Sequence, residues 1–104
     1  MFLAVYEWRA KPGMEAQFRE AWRRGTEAIV RRYASYGSRL CQTADGRFIG
    51  VAEWPDEASW RAAMSEGMAY DDDEARAMLR EATLDGGSPI LAMPVLEDAL
   101  RRPA

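Results

Sequence analysis

The chain has 104 residues, a net charge of −3 at neutral pH and a pI of about 5.0. This length is typical of one domain, and the acidic balance argues against a nucleic-acid-binding surface. The absence of histidine excludes an imidazole base, a Ser-His-Asp triad and a histidine-ligated haem or zinc site. The lone Cys41 excludes an internal disulfide, and no apolar run has the roughly 20 residues of a membrane span, so we expect a cytoplasmic protein.

The first two predicted elements are a strand and an amphipathic helix. Residues 2–9, FLAVYEWR, are rich in aromatic and β-branched side chains, which favours a strand. KPG at 11–13 interrupts this strand and opens the helix, in which apolar residues recur at steps of three or four. These residues are Met14, Phe18, Trp22, Gly25, Ile29 and Tyr33. Their spacing predicts a single apolar face.

Two further strands and a short helix follow. Residues 38–43 and 47–54 are predicted strands, and Ala-Asp-Gly at 44–46 is typical of the hairpin turn between them. Asp56 is well placed as the N-cap of a short helix that carries Trp60.

The last third of the chain predicts a helix and a strand. Residues 71–82 form the helix, and the acidic run at 71–74 is typical of capping and helix-dipole residues, which we favour over a metal site. We expect Gly86-Gly87 to be a loop before a final strand over 88–97. Two prolines, Pro89 and Pro94, restrict that strand to an edge or a bulge.

The element order β-α-β-β-α-α-β predicts an α+β fold of the ferredoxin-like split βαβ type, with an antiparallel sheet and helices on one face. We expect the first and third strands to lie side by side at its centre, running in parallel. The near-copies Val5-Tyr6-Glu7-Trp8 and Val51-Ala52-Glu53-Trp54 would then end neighbouring strands at the same edge of the sheet.

Alternation along these two strands divides their side chains between two apolar faces. The aromatic face carries Phe2, Ala4, Tyr6 and Trp8 from one strand and Phe48, Gly50, Ala52 and Trp54 from the other. The aliphatic face carries Leu3, Val5, Ile49 and Val51. Since the helices cover one face, we expect them on the aromatic face and a second subunit of a homodimer on the aliphatic face.

Three stretches carry a family resemblance: VYEWRAKPGMEAQFREAW, GRFIGVAEWPDEASWRAAM and the closing strand. They resemble the antibiotic biosynthesis monooxygenase (ABM) family over about residues 2–97, so that 1–104 would be a single domain with a short tail at 98–104. The resemblance implies a homodimer whose two sheets form an α+β barrel, with a pocket between sheet and helices in each subunit. It also implies oxygenation of a small aromatic or polyketide-like substrate without metal, flavin or other cofactor.

Few of the family's functional residues have a counterpart in this sequence. The family's third-strand tryptophan corresponds to Trp54, and Trp60 stands where its oxygenases carry a tyrosine. Those oxygenases also use an asparagine, and haem-degrading members use an asparagine and a histidine; this sequence has neither residue.

The candidate site is an aromatic hollow over small residues. Trp54 and Tyr6 are the candidate catalytic residues, since the Tyr6 hydroxyl could hydrogen-bond a phenolic substrate. The predicted pocket is completed by Trp8, Ala4, Gly50, Ala52, Phe18, Trp22 and Trp60. For each aromatic ring, plain core packing is the alternative. The competing function is a ligand-binding or structural dimer without chemistry.

Glu7 and Glu53 occupy equivalent positions of the two near-copies. A catalytic carboxylate pair with one raised pKa is one interpretation. We favour the other, in which both are rim residues paired with arginines such as Arg9 or Arg39.

Overall fold

The computed structural model describes residues 1–101, so residues 102–104 of the predicted tail lie outside the described part. Its elements are β1 (Phe2–Ala10), α1 (Glu15–Arg32), β2 (Gly37–Gln42), β3 (Phe48–Trp54), α2 (Glu57–Ser65), α3 (Asp73–Ala82) and β4 (Thr83–Pro94). The four strands form one sheet in the order β2-β3-β1-β4, and every neighbouring pair is antiparallel. The predicted α+β ferredoxin-like fold is confirmed.

Helix α1 has the apolar face that its spacing predicts. Phe18, Ala21, Gly25 and Ala28 are buried along it, because steps of three or four residues return a side chain to the same side of a helix. The helix begins after the Lys-Pro-Gly break, where the carboxylate of Glu15 accepts a hydrogen bond from the backbone N–H of Gly13 at 3.1 Å.

Aspartate side chains cap the two later helices. Asp56 accepts the backbone N–H of Ser59 at 2.7 Å at the start of α2, as predicted. Asp72 does the same for Ala75 at 3.0 Å at the start of α3. Each cap satisfies a backbone donor that has no partner within the helix.

The predicted direction of the central strands is wrong. β1 and β3 are antiparallel, with Phe2 opposite Trp54 and Trp8 opposite Phe48. The crossover through α1 returns the chain parallel to β1 in β2, and the β2–β3 hairpin then reverses it. The two near-copies therefore end at opposite ends of the β1–β3 strand pair.

Antiparallel pairing relates the two near-copies by a local twofold axis. The full repeat is FLAVYEW at 2–8 and FIGVAEW at 48–54, and Val5 lies opposite Val51 near its centre. Each end of the repeat is therefore a cross-strand phenylalanine–tryptophan pair.

The predicted division of the sheet into two faces survives this reversal, because the pairing keeps side-chain parity. Phe48, Gly50, Ala52 and Trp54 are buried, whereas the residues between them are partly exposed. The buried set lies on the side of the sheet that the helices cover. On the other side, Val5 is only partly covered.

The predicted loop at Gly86-Gly87 is part of a strand. β4 begins directly after α3, and its pairing with β1 shifts register on both sides of Tyr6 and again after Arg9. Gly86 (φ +109°) and Gly87 (φ +99°) adopt a backbone conformation that side chains disfavour, and a Cβ on Gly86 would overlap the carbonyl oxygen of Glu7. The two glycines therefore permit an irregular pairing that keeps β4 on β1. β4 is an edge strand, as its prolines predict.

The antiparallel register separates Glu7 from Glu53, which rules out the carboxylate pair, the interpretation that we did not favour. Glu53 lies opposite Leu3, near the other end of the strand pair. The carboxylate of Glu7 binds the guanidinium of Arg47 at 2.7 Å, so Glu7 pairs with an arginine as we favoured, although this arginine is neither Arg9 nor Arg39.

Candidate functional site

A cavity of about 440 Å³ lies between the sheet and the helices. Its size lies within the range of small-molecule sites. Its walls come from all four strands, α1 and the loop after it, the end of α2, the α2–α3 connection and α3. Five of the predicted site residues line it: Tyr6, Trp8, Trp22, Ala52 and Trp54.

Two predicted floor residues do not line the cavity. Ala4 is fully buried in a cluster with Phe2 and Trp54. Gly50 is covered by the ring of Trp8, which lies 2.8 Å from where a Cβ would stand. The small side chains therefore allow close packing at these two positions.

Phe18 and Trp60 also lie outside the cavity lining. The Phe18 ring stacks on Phe48 with centroids 4.8 Å apart, and Phe18 is fully buried. Trp60 packs against Phe2 with centroids 5.3 Å apart. Both side chains form the packed core on either side of the cavity.

Trp60 nevertheless contacts a cavity residue. Its indole N–H donates a 2.9 Å hydrogen bond to the hydroxyl oxygen of Tyr6, and that hydroxyl lies 3.8 Å from the sulfur of Met64. Burial raises the pKa of the Tyr6 hydroxyl, and the bond from Trp60 offsets part of that rise. The hydroxyl therefore stays protonated at neutral pH and can donate a hydrogen bond to a ligand oxygen.

Trp54 has a buried donor without a partner. Its side chain is only 1% exposed, and no atom of residues 1–101 accepts a hydrogen bond from its indole nitrogen. A buried unpaired donor costs about 1–3 kcal/mol. The nitrogen itself is closed off from solvent, so a ligand in the cavity reaches it only if the surrounding side chains move.

Trp8 forms a flat wall between two glycines. Its ring stacks on Tyr6 with centroids 5.8 Å apart and meets the ring of Phe18 edge-on. The indole nitrogen lies 3.1 Å from where a Cβ on Gly87 would stand. The absence of side chains at Gly50 and Gly87 therefore gives this large ring its position.

Sequence reasoning missed two arginines of the cavity wall, Arg76 and Arg80 on α3. Arg76 is half-buried and its guanidinium lies 5.5 Å from the ring centroid of Tyr70; Arg80 is more exposed. Within residues 1–101, neither forms a salt bridge. Their four-residue spacing on a helix whose Leu79 faces inward is a signal that could have found them.

The α2–α3 connection closes the cavity against α1. Tyr70 on this connection approaches α1 at Gly25, where a Cβ would stand 2.9 Å from the phenol oxygen. The guanidinium of Arg24 binds Asp72 at 2.8 Å, which holds the connection to α1. Burial raises the pKa of the Tyr70 hydroxyl, and the positive charge of Arg76 partly opposes this rise.

The charge of the cavity wall has one sign. Among the described residues, the charged side chains that line it are the two arginines, and no aspartate or glutamate does so. The remaining wall is mainly aromatic, aliphatic or glycine. Such a wall complements a flat apolar ligand that carries negative charge at one end.

A family model described as antibiotic biosynthesis monooxygenase matches residues 1–78. The chain belongs to the antibiotic biosynthesis monooxygenase family. This match spans β1 to the first half of α3, and so includes most of the cavity wall. A sequence comparison with curated proteins finds no match.

Solved structures of the same architecture support the family's fold in this chain. The chain is similar to Rv0793 from Mycobacterium tuberculosis, with 11% identity, a TM-score of 0.66 and 95% and 98% of the two chains covered. It is similar to SnoaB, a cofactor-independent oxygenase from Streptomyces nogalater, with 14% identity, a TM-score of 0.66 and 96% and 97% covered. It is also similar to a candidate antibiotic biosynthesis monooxygenase from Deinococcus radiodurans, with 15% identity, a TM-score of 0.68 and 99% and 100% of the two chains covered. At these identities the likeness establishes the fold alone.

Within residues 1–101, no helix is long and apolar enough to cross a membrane. In the same part of the chain, no three histidine, cysteine, aspartate or glutamate side chains are grouped to hold a metal ion.

Proposed function

We propose that this protein is a cofactor-independent monooxygenase of small phenolic, polyketide-like aromatic compounds. One observation carries the proposal: an aromatic-walled cavity of about 440 Å³ whose charged lining residues, in the described chain, are Arg76 and Arg80. The fold, the family and the SnoaB likeness support this reaction class.

The arginines supply the electrostatic part of the mechanism. An anthrone- or hydroquinone-type substrate that loses its proton becomes electron-rich enough to give an electron to O₂ directly. A guanidinium beside the phenol lowers the phenol's pKa, because it stabilises the anion and not the neutral form. The cavity can therefore raise the anionic fraction of a bound phenol at neutral pH without a dedicated base.

An anthrone-type substrate illustrates the oxygenation, in which O₂ converts one ring carbon to a carbonyl. The bound anion gives one electron to O₂, and the two radicals combine to form a carbon–oxygen bond. The first hydrogen of the oxidised carbon was lost as a proton when the anion formed. The O–O bond then breaks as the remaining hydrogen on that carbon leaves as a proton. One oxygen atom becomes the new carbonyl, and the other leaves as water with the two hydrogens of the oxidised carbon.

Tyr6 and Trp54 are the hydrogen-bond donors for this chemistry. The Tyr6 hydroxyl is held by Trp60 and stays protonated, so that it can donate to a substrate oxygen. Once the side chains around it move, the unpaired indole N–H of Trp54 is a second donor, to the oxygen that gains charge as O₂ is reduced. Tyr6 thus offers a phenol at the cavity wall, although Trp60 stands where the family's oxygenases carry a tyrosine.

A ligand-binding protein without chemistry is the second candidate. In the described chain, no carboxylate lines the cavity, and the sequence has no histidine. The arginines would then recognise an anionic ligand without activating it.

Oxygen uptake with anthrone and hydroquinone substrates tests the proposal. We expect turnover by the wild type and a loss of about tenfold or more in kcat/KM for Arg76→Gln, equivalent to one hydrogen bond to a charged group. Arg19→Gln is the matched control, because Arg19 lies on α1 outside the cavity lining. No uptake above the uncatalysed rate, together with tight binding of the quinone products, would favour the binding protein.

We also propose a homodimer formed through the aliphatic face of the sheet. β4 extends this face, since Leu91 lies opposite Val5 and Met93 opposite Leu3. Leu91 is 57% exposed in the single chain, and an exposed apolar face of this kind is typical of an interface. Light scattering at micromolar concentration should give twice the mass of the chain; the mass of a monomer would contradict this proposal.

A further inference from the structure

A second cavity, which is largely open to solvent, adjoins the first. It has a volume of about 570 Å³ and lies between the outer flank of α1 and the beginning of β2. Three residues line both cavities: Trp22, Thr26 and Ser38. The two spaces are therefore neighbours, and we call these three residues the partition between them.

Trp22 is the large member of this partition. It extends from α1 to the sheet, where its indole nitrogen lies 3.5 Å from the position of a Cβ on Gly50. Thr26 and Ser38 are small and leave most of the partition to the indole ring. Shortening Trp22 would therefore join the two spaces.

The walls of the two cavities differ. The outer cavity is lined by polar and charged residues, among them Arg31 and Glu27, beside the apolar Val30 and Tyr36. The inner cavity is mainly aromatic, aliphatic or glycine, with its arginines at the α3 side. A ligand that crossed the partition would thus leave an apolar compartment for a wetter one.

We propose that Trp22 is the specificity-determining residue that sets the length of the aromatic ligand. We expect the three-ring core of the proposed substrate in the inner cavity, and the indole of Trp22 stands where a fourth linear ring would extend towards the outer cavity. This inference rests on the proposed function, because it concerns the same cavity and the same class of ligand. It adds a limit on substrate size that the family assignment does not supply.

Equilibrium dialysis with two quinones tests this inference. Anthraquinone-2-carboxylate has three rings, and a carboxylated naphthacene-5,12-dione has four in a line. Both are already oxidised, so their binding is independent of any oxygenation. We expect the wild type to prefer the three-ring compound by about tenfold, and Trp22→Ala to abolish or reverse that preference, since burying a further ring is worth at least 1.4 kcal/mol.

A matched pair of conservative variants separates size selection from packing. Trp22→Phe and Trp8→Phe remove the same atoms, and both side chains line the inner cavity. Trp8 does not line the outer cavity, so Trp8→Phe should keep the preference and Trp22→Phe should reduce it. The phenylalanine variant also keeps the test valid if Trp22→Ala does not fold.

Three results would overturn the inference. Equal wild-type affinity for both quinones would show that Trp22 sets no limit. A parallel loss of both affinities in the Trp22 variants, with the ratio unchanged, would make Trp22 a packing residue and leave the proposed function intact. No binding of either quinone by any form would contradict the proposed function as well.

Discussion

The two ends of the strand repeat have the same pairing and different surroundings. At one end Phe2 lies opposite Trp54, and at the other Trp8 lies opposite Phe48. Trp54 is only 1% exposed, whereas Trp8 is half-buried and forms a flat wall of the cavity. Equal sequences on equal strands have thus acquired unequal environments.

The elements that cover each end account for this difference. At the Trp54 end, α2 brings Trp60 against Phe2 and closes the cluster. At the Trp8 end, β4 passes with glycines at 86 and 87, so that no side chain covers the indole there. A strand repeat therefore fixes which face a ring occupies, and the covering elements decide whether that ring is enclosed.

The largest expected effect comes from truncating Trp54, at the closed end. Trp54→Ala should lower the free energy of unfolding by about 3–5 kcal/mol, because it leaves a large cavity in the core. Trp54→Phe should change it by about 1 kcal/mol or less, because loss of the unpaired N–H offsets the smaller ring. Urea unfolding of both variants measures the difference.

A loss of several kcal/mol in Trp54→Phe would show that the indole nitrogen does have an acceptor in the folded protein. The proposed role of Trp54 as a donor to the substrate would then fail. Trp8→Phe, at the open end, is the control for the same change of ring.

The next largest effect is expected at the glycine that opens the Trp8 end. Gly86→Ala should cost about 2–4 kcal/mol, because the new Cβ would overlap the Glu7 carbonyl at a positive φ. Gly13→Ala is the control: its φ is also positive, but nothing lies within 4 Å of its Cβ position, so the cost should be about 1 kcal/mol. Equal losses in thermal unfolding would show that backbone conformation alone matters and that β4 does not press on β1.

The smallest expected effect is on alkaline stability. Burial raises the pKa values of Tyr6 and Tyr70, so above pH about 10 the unfolded chain loses their protons before the folded chain does. Stability that is fully present below pH 10 is therefore lost as the pH rises through the folded-state pKa values. Tyr70→Phe should flatten the decline of the unfolding free energy above pH 10, and Tyr36→Phe, at an exposed ring, should not. The same decline in both variants would show that Tyr70 ionises freely in the folded state.

The fold could be predicted because local chemistry specifies it. Alternation assigned the residues of β1 and β3 to the correct faces, and Asp56 gave the start of α2. Strand direction depends on the connections between strands, whereas the repeated Val-x-Glu-Trp pattern suggested a parallel pair. Gly86 and Gly87 are as typical of a loop as of an irregular strand, so only the pairing with β1 distinguishes the two.

The candidate site was less predictable, because packing over the sheet decides which residues face empty space. Ala4 and Ala52 are directly opposite each other in the register, yet only Ala52 lines the cavity. Arg76 and Arg80 belong to the wall because α3 lies beside it, which depends on contacts distant in sequence.

The central claim is that the space above Ala52 is an open ligand site and not packed core. Ala52→Leu and Ala4→Leu place the same side chain at two opposite positions of one face, of which Ala4 is fully buried outside the cavity. The decisive measurement is thermal unfolding of the two variants with and without anthraquinone-2-carboxylate. We predict that Ala4→Leu costs about 1–3 kcal/mol through overpacking, whereas Ala52→Leu costs under about 1 kcal/mol and abolishes the stabilisation by the ligand. An equal loss of stability in the two variants would contradict the account, because it would mean that the space above Ala52 is already filled.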